Sequence, residues 1–165
     1  MILAIVQAGM GSTRLPGKVL KKVCGKPLIE ILLYRLSQSK KTDKIILATS
    51  ENKENDILAE TVEKLGFDIF HGREDDVLDR YYEAAKPYSP EAVVRITGDC
   101  PIIDPQLVDE VIGLYQENKV DYASNAEPPT FPDGLDTEVF SFKALKISWE
   151  QATTKYELVL EESCF

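Results

Sequence analysis

Histidine and cysteine are scarce in this sequence. One histidine and three cysteines, Cys24, Cys100 and Cys164, are spread over 165 residues. The cysteines are odd in number, far apart and never spaced C-x-x-C, which argues against a disulfide framework and a structural zinc site. A reducing cytoplasm is the expected location. Basic residues are outnumbered, 19 against 28 acidic, for a net charge of -9. That balance excludes a surface built to grip nucleic-acid backbones, which needs clustered Lys and Arg. Long apolar runs are also missing, so no membrane span is expected. The opening run Met1-Ile2-Leu3-Ala4-Ile5-Val6 is too short for a signal-peptide core and carries no basic leader. There is no internal repeat and no low-complexity tract.

What is present is an ordinary globular composition, 44% apolar and 28% charged, long enough for one domain over residues 1–165 with a real core. Strand and helix patterns alternate along it. Ile2–Gln7 reads as a strand buried on both faces. "GKPLIEILLYRLSQ" reads as a helix with Pro27 in its first turn and Leu28, Ile31, Leu32 and Leu36 on one face. "KIILAT" (44–49) is a strand. The segment 53–66 is a helix with Ile57, Leu58, Val62 and Leu65 inward and Gly66 as its stop. "FDIFHG" is a short strand and 75–86 a helix capped by Asp75 or Asp76. "EAVVRITGD" (91–99) is a strand, followed by a helix with Asp104 as cap and Pro105 first. Strands at 120–125 and 137–142 and a mostly helical tail complete the pattern. Such alternation predicts an α/β fold, a three-layer, doubly wound, mainly parallel sheet with helices on both faces.

Ligands in such sheets sit outside the carboxyl ends of the strands. Three segments fall there. "QAGMGSTRLPGK" (7–18) combines glycines, hydroxyls, Arg14 and Lys18, which suits a polyphosphate: amides and hydroxyls bind its oxygens and cations offset its charge. It matches neither the Gly-Lys-Ser/Thr ending nor the G-x-G-x-x-G spacing. "RITGDCPIIDP" (95–105) ends a strand on Thr97, Gly98 and Asp99. A carboxylate there, facing a cationic loop, is what a magnesium–nucleotide site needs, because magnesium takes most ligands from phosphates and water. The third is "FPDGLDTEVF" (131–140), which overlaps the long loop "AEPPTFPDGLD" (126–136), whose length and Pro and Gly content suggest a functional flap.

"IVQAGMGSTRLPGKVL", "EDDVLDRYYEAA", "VVRITGDCPIIDPQLVDEVI" and "PDGLDTEVFSFKAL" together resemble the spore-coat polysaccharide biosynthesis and acylneuraminate cytidylyltransferases, of the Rossmann-like nucleotide-diphospho-sugar transferase fold. The resemblance runs from Ile2 to about residue 147. It implies transfer of CMP from CTP to an acidic sugar of the nonulosonic-acid type, for surface polysaccharide, with magnesium as cofactor. By motif, Arg14 and Lys18 would act on the triphosphate. Gln7, Ala8, Gly9, Gly11 and Ser12 would line it. Asp79, Arg80 and Thr97 would lie on the nucleotide side, and Asp99 would hold the metal. Asp133, Asp136 and Glu138 would face the sugar.

Two departures accompany the resemblance. The family pattern has arginine where this chain has Gly9, which removes a cation from the triphosphate side. After about residue 149 the expected continuation, with a second magnesium-binding aspartate, is absent. The chain is therefore expected to be truncated or divergent there and to bind nucleotide better than it turns substrate over. The apolar run Leu158-Val159-Leu160 is expected to promote a homodimer or aggregation. A noncatalytic nucleotide-binding remnant and a glycosyltransferase using a nucleotide sugar are the alternatives, although the Asp-x-Asp metal motif of the latter is not found.

Overall fold

The computed structural model describes residues 1–152. The helical reading beyond Ala152, Cys164 and the run Leu158-Val159-Leu160 lie outside the described residues.

A six-stranded sheet runs through the middle of the molecule. Its strands are β1 (Ile2–Gln7), β4 (Lys44–Ser50), β5 (Asp68–Gly72), β6 (Ala92–Thr97), β7 (Tyr122–Ser124) and β8 (Glu138–Ser141). They are ordered β5-β4-β1-β6-β8-β7. The first four in that order pair in parallel, and β8 inserts antiparallel between β6 and β7. The remaining two strands, β2 (Lys22–Val23) and β3 (Lys26–Pro27), form a small separate hairpin. Among the described residues five α-helices flank the sheet: α1 (Leu28–Leu36), α2 (Asp56–Lys64), α3 (Val77–Ala85), α4 (Pro105–Asn118) and α5 (Phe142–Gln151). The chain first moves from β1 through β4 to β5, then returns to place β6 on the other side of β1. That reversal creates a switch point where a crevice opens.

Side-chain alternation on β1 explains the two cores. Ile2, Ala4 and Val6 pack on one face against α1, α2 and α4, whereas Leu3 and Ile5 pack on the other against α3 and α5. Each fully buried Leu or Ile contributes about 1.5–3 kcal/mol, so the central strand, buried on both faces, anchors both layers.

Helix ends follow the sequence closely at some points and depart from it at others. Asp76, not Asp75, caps α3, accepting from the Asp79 amide at 2.9 Å. Asp104 caps α4 with Pro105 first, as the sequence predicts. Pro27 precedes α1 as its cap residue and closes the hairpin strand β3, which displaces the expected first turn. The buried face of α1 is Ile29, Leu32, Leu33 and Leu36, not the set containing Leu28 and Ile31. Segment 53–66 opens with a short 3₁₀ turn, Lys53–Asn55, before α2. In α2 the buried residues are Leu58, Ala59 and Val62, while Ile57 and Leu65 stay exposed.

Candidate functional site

The carboxyl ends of β1, β4, β5 and β6 converge on one side of the sheet. Loop 8–18 leaves β1 there and is tied down at both ends. Asn55, buried beneath it, accepts the Met10 amide through Oδ1 at 2.8 Å. The same side chain donates through Nδ2 to Ser50 Oγ at 2.7 Å and to the Ser50 carbonyl at 3.3 Å. The Gly17 amide then donates to the Met10 carbonyl at 3.0 Å. Gly17 has φ +65°, a left-handed conformation that glycine adopts without penalty. At the end of β6, Gly98 lies against β1: a Cβ there would sit 2.4 Å from Ala8 Cβ and 2.9 Å from the Gln7 carbonyl. Glycine is thus required where the two loops touch.

Two cavities open at this point. The first, of about 720 Å³, is lined by Gln7, Ala8, Gly9, Gly11, Ser12, Lys18, Ser50, Glu54, Asn55, Glu74, Arg80, Arg95, Thr97, Gly98 and Asp99, with Val19 at its floor. The second, of about 870 Å³, is lined by Arg14, Leu15, Cys100, Pro101, Ile102, Ala126, Asp133, Gly134, Asp136 and Glu138. Ser12, Lys18, Arg95, Thr97 and Asp99 line both. Each volume suits a small polar ligand. The two lobes therefore share one wall, and that wall is where groups bound in each would meet.

Charge on the shared wall is arranged in pairs. Lys18 Nζ donates to Asp99 Oδ2 at 2.6 Å, with the two side chains 26% and 43% exposed. Burial pushes the Asp99 carboxyl up, but the hydrogen bond and charge of Lys18, with the Thr97 hydroxyl, prevail and hold it below its ordinary value. Deeper in, Arg95 forms a buried ion pair with Glu138, its directly opposed partner on β8. Tyr122 OH donates to Glu138 Oε2 at 3.2 Å. Arg80 on α3 is only 5% exposed, and its Nη1 donates to the Arg73 carbonyl at 3.2 Å. In the second lobe, burial and the neighbouring Asp133 charge raise the Asp136 carboxyl.

The outer side of the second lobe is a single excursion of the chain. Asn125 holds its two ends together. Its amide donates to the Thr137 carbonyl at 3.3 Å, and its Oδ1 accepts from the Thr137 amide at 2.8 Å. Its Nδ2 donates to the Leu135 carbonyl at 3.0 Å, and its own carbonyl accepts from Thr130. Asp133, Gly134 and Asp136 project from the loop so held.

The sequence profile of the cytidylyltransferases matches residues 3–165. This chain belongs to the cytidylyltransferase family. An uncharacterised protein of Methanocaldococcus jannaschii is 44% identical over 94% of this chain and 63% of its own length. The spore coat polysaccharide biosynthesis protein SpsF of Bacillus subtilis is 36% identical, covering 94% of this chain and 69% of that protein. The 3-deoxy-manno-octulosonate cytidylyltransferase of Geobacter sulfurreducens is 32% identical over 71% of this chain and 46% of its length. Among solved structures, a cytidylyltransferase from Leptospira borgpetersenii superposes with a TM-score of 0.87 at 33% identity, covering 95% of this chain and 66% of that one. The chain thus spans roughly half to two thirds of the length of these relatives.

In this family member the expected site residues divide between the lobes. Gln7, Ala8, Gly9, Gly11 and Arg80 line the first, Arg14, Asp133, Asp136 and Glu138 line the second, and Ser12, Lys18, Thr97 and Asp99 line both. Asp79 lies apart from both. Its Oδ1 accepts from Trp149 Nε1 at 2.8 Å, which fastens α5 onto α3 beside the Tyr82–Trp149 ring stack. Its place next to Arg80 in sequence puts it on another face of the helix. Arg14 belongs to the second lobe, away from the first. Glu138 faces the cavity with its carboxylate already engaged by Arg95 and Tyr122. Asn55 and Arg95 were not anticipated. Asn55 was hidden in the polar run "KEND", and Arg95 was the one charge inside the apolar strand "AVVRIT". That isolated charge was the signal available.

Among the described residues, no cluster of three or more His, Cys, Asp or Glu side chains is placed to hold a metal. Asp99 fits a metal that draws its other ligands from phosphate and water: it is a half-exposed carboxylate on the shared wall with one cationic partner. No described helix is long and apolar enough to cross a membrane.

Proposed function

We propose that this chain transfers CMP from CTP to an acidic sugar of the nonulosonic-acid type, in the making of a surface polysaccharide, with magnesium held at Asp99. The observation that carries this reading is the two-lobed cavity with Lys18 and Asp99 on its common wall. The first lobe offers loop amides, Ser12, Lys18 and the buried Arg80 to a nucleoside triphosphate. The second offers Arg14 at its mouth and hydroxyl-binding carboxylates, Asp133 and Asp136, to a polyhydroxylated acceptor. The name of the Geobacter relative supports a sugar acid as acceptor, and that of SpsF supports a polysaccharide fate.

Phosphoryl chemistry asks the protein mainly to position groups and offset charge. Lys18 stands on the wall that both lobes share, and on binding it would exchange Asp99 for phosphate oxygens. The loop amides pre-oriented by Asn55 and Gly17 supply donors that need no rearrangement. Magnesium bound at Asp99 would neutralise part of the triphosphate charge and polarise its oxygens. Calorimetry with each nucleoside triphosphate, with and without magnesium, tests the reading, followed by pyrophosphate release with a panel of acidic sugars. CTP is expected to bind in preference and to need the metal. Equal affinity for all four nucleotides, or no binding, refutes it. CTP binding without turnover on any acceptor points to a nucleotide-binding family member that does no chemistry.

A further inference from the structure

Arg95 lines both lobes. Its position on β6, two residues before Thr97, directs its side chain to the α3 face of the sheet, along with Val93. It is 9% exposed and pairs with Glu138 across the β6–β8 register. Glu138 is held in turn by Tyr122 from β7. Three adjacent strands thus fix one guanidinium beneath the junction of the two cavities.

A residue that lines one lobe can touch one substrate. A residue that lines both faces the bond being made. Of the five residues on the shared wall, Ser12, Lys18, Thr97 and Asp99 sit on the loops or strand end, and Arg95 is the buried one. Charge in a buried position acts more strongly than charge at the surface, and a preorganised donor costs no reorganisation as the reaction proceeds.

We propose that Arg95 is a catalytic residue, whose guanidinium, fixed by Glu138, holds the non-bridging oxygens of the α-phosphorus while the acceptor oxygen bonds to it. This rests on the cytidylyl-transfer reading above. In the step, the acceptor hydroxyl oxygen forms a new bond to the α-phosphorus. The bond from that phosphorus to the oxygen bridging to the β-phosphorus breaks, and its electron pair leaves with pyrophosphate. The hydroxyl proton passes to water in the open second lobe. Negative charge on the non-bridging oxygens peaks between these events, where a fork of N–H donors stabilises it most. Glu138, placed on the sugar side by sequence reasoning, becomes a positioning residue acting through Arg95.

The test compares Arg95→Met, Arg95→Lys and Glu138→Gln with the parent chain in pyrophosphate release, CTP calorimetry and thermal unfolding. Replacing a buried ion pair by apolar groups often leaves stability intact, whereas removing one partner strands the other. The double variant Arg95→Met/Glu138→Leu therefore guards against a misfolded single variant. Arg95→Met and the double variant should lose about 10²–10³ in kcat, with CTP affinity within about threefold of the parent. Arg95→Lys should recover part of that rate as a point charge without the fork. Glu138→Gln should lower kcat about tenfold and leave the acceptor KM unchanged. Unchanged kcat in a folded variant lacking Arg95, or a loss confined to acceptor KM, overturns the proposal while leaving the cytidylyl-transfer reading intact. A parent chain that binds CTP but turns over no acceptor overturns both.

Discussion

Asn55 offers the sharpest check on how loop 8–18 is held. Truncation to alanine removes three hydrogen bonds: 2.8 Å to the Met10 amide, 2.7 Å to Ser50 Oγ and 3.3 Å to the Ser50 carbonyl. Two are well formed and one is long, and the site is 2% exposed, so water does not replace them freely. At about 1 kcal/mol for each net hydrogen bond, Asn55→Ala should cost about 2–3 kcal/mol. For a chain of this size each kcal/mol moves the melting midpoint by about 2–4 °C, giving a fall of about 4–12 °C. The loss has a second signature. Met10 sits between Gly9 and Gly11, which line the first cavity, so freeing its amide should weaken CTP binding about tenfold, equivalent to one hydrogen bond of about 1.4 kcal/mol. Differential scanning calorimetry and titration with CTP read the two effects separately. A melting midpoint within about 1 °C of the parent, with CTP affinity unchanged, would show that the loop is held by its own backbone turns and not by Asn55.

Gly9→Arg restores the cation that the family pattern carries; a Cβ at Gly9 meets only Asn55 Oδ1, at an ordinary 3.5 Å. It should fold as stably as the parent and bind CTP about fivefold tighter, as one added charge near a surface phosphate contributes about 1 kcal/mol; weaker binding in calorimetry would contradict this. Asp109 on α4 accepts from Ser39 Oγ at 2.6 Å and from the Lys40 and Lys41 amides at 3.0 Å. Burial raises its carboxyl, but these bonds prevail and hold it below its ordinary value. Its contribution to stability is thus complete above the unfolded carboxylate pKa and is lost as pH falls through the lower folded value. Urea unfolding from about pH 7 to about pH 3 should show a shallower acid decline in Asp109→Asn than in the parent; parallel declines would remove Asp109 from the account.

Local chemistry made much of the fold legible. β1 coincides with its apolar run, Asp104-Pro105 marks the start of α4, and the order of strands and helices follows from their periodicities. Phase was harder. The sequence "LIEILLYRL" is apolar on most sides, so spacing alone did not separate the Ile29–Leu33 face from one through Leu28 and Ile31. The Lys22–Pro27 hairpin was invisible because two-residue strands carry no period, and its turn sits at Cys24, with φ +51°, and Gly25. Long-range pairing was harder still. Arg95 acquires its meaning from Glu138, 43 residues later, and Asp79 from Trp149, 70 residues later. Neither partner can be assigned until the antiparallel insertion of β8 and the docking of α5 are known. The composition of loop 8–18 suits a phosphate, but the division between lobes, with Arg14 in the second, depends on how the chain turns at Gly17.

The excursion at 126–136 has an evolutionary consequence. Its ends are joined across Asn125 and Thr137, and the sheet on either side is complete without it. Closing a loop costs free energy that grows only slowly with its length, so insertions and replacements here leave the framework nearly untouched. The first lobe, in contrast, is stitched from β1, β4, β6, α3 and their connecting turns, with Gly98 pressed against Ala8. Under the proposed cytidylyl-transfer reading, a lineage of such chains could exchange one short segment and change the acceptor side while the lining of the first lobe stays in place. The same asymmetry makes the segment a natural cassette for grafting between relatives, with the framework of the first lobe left as it is.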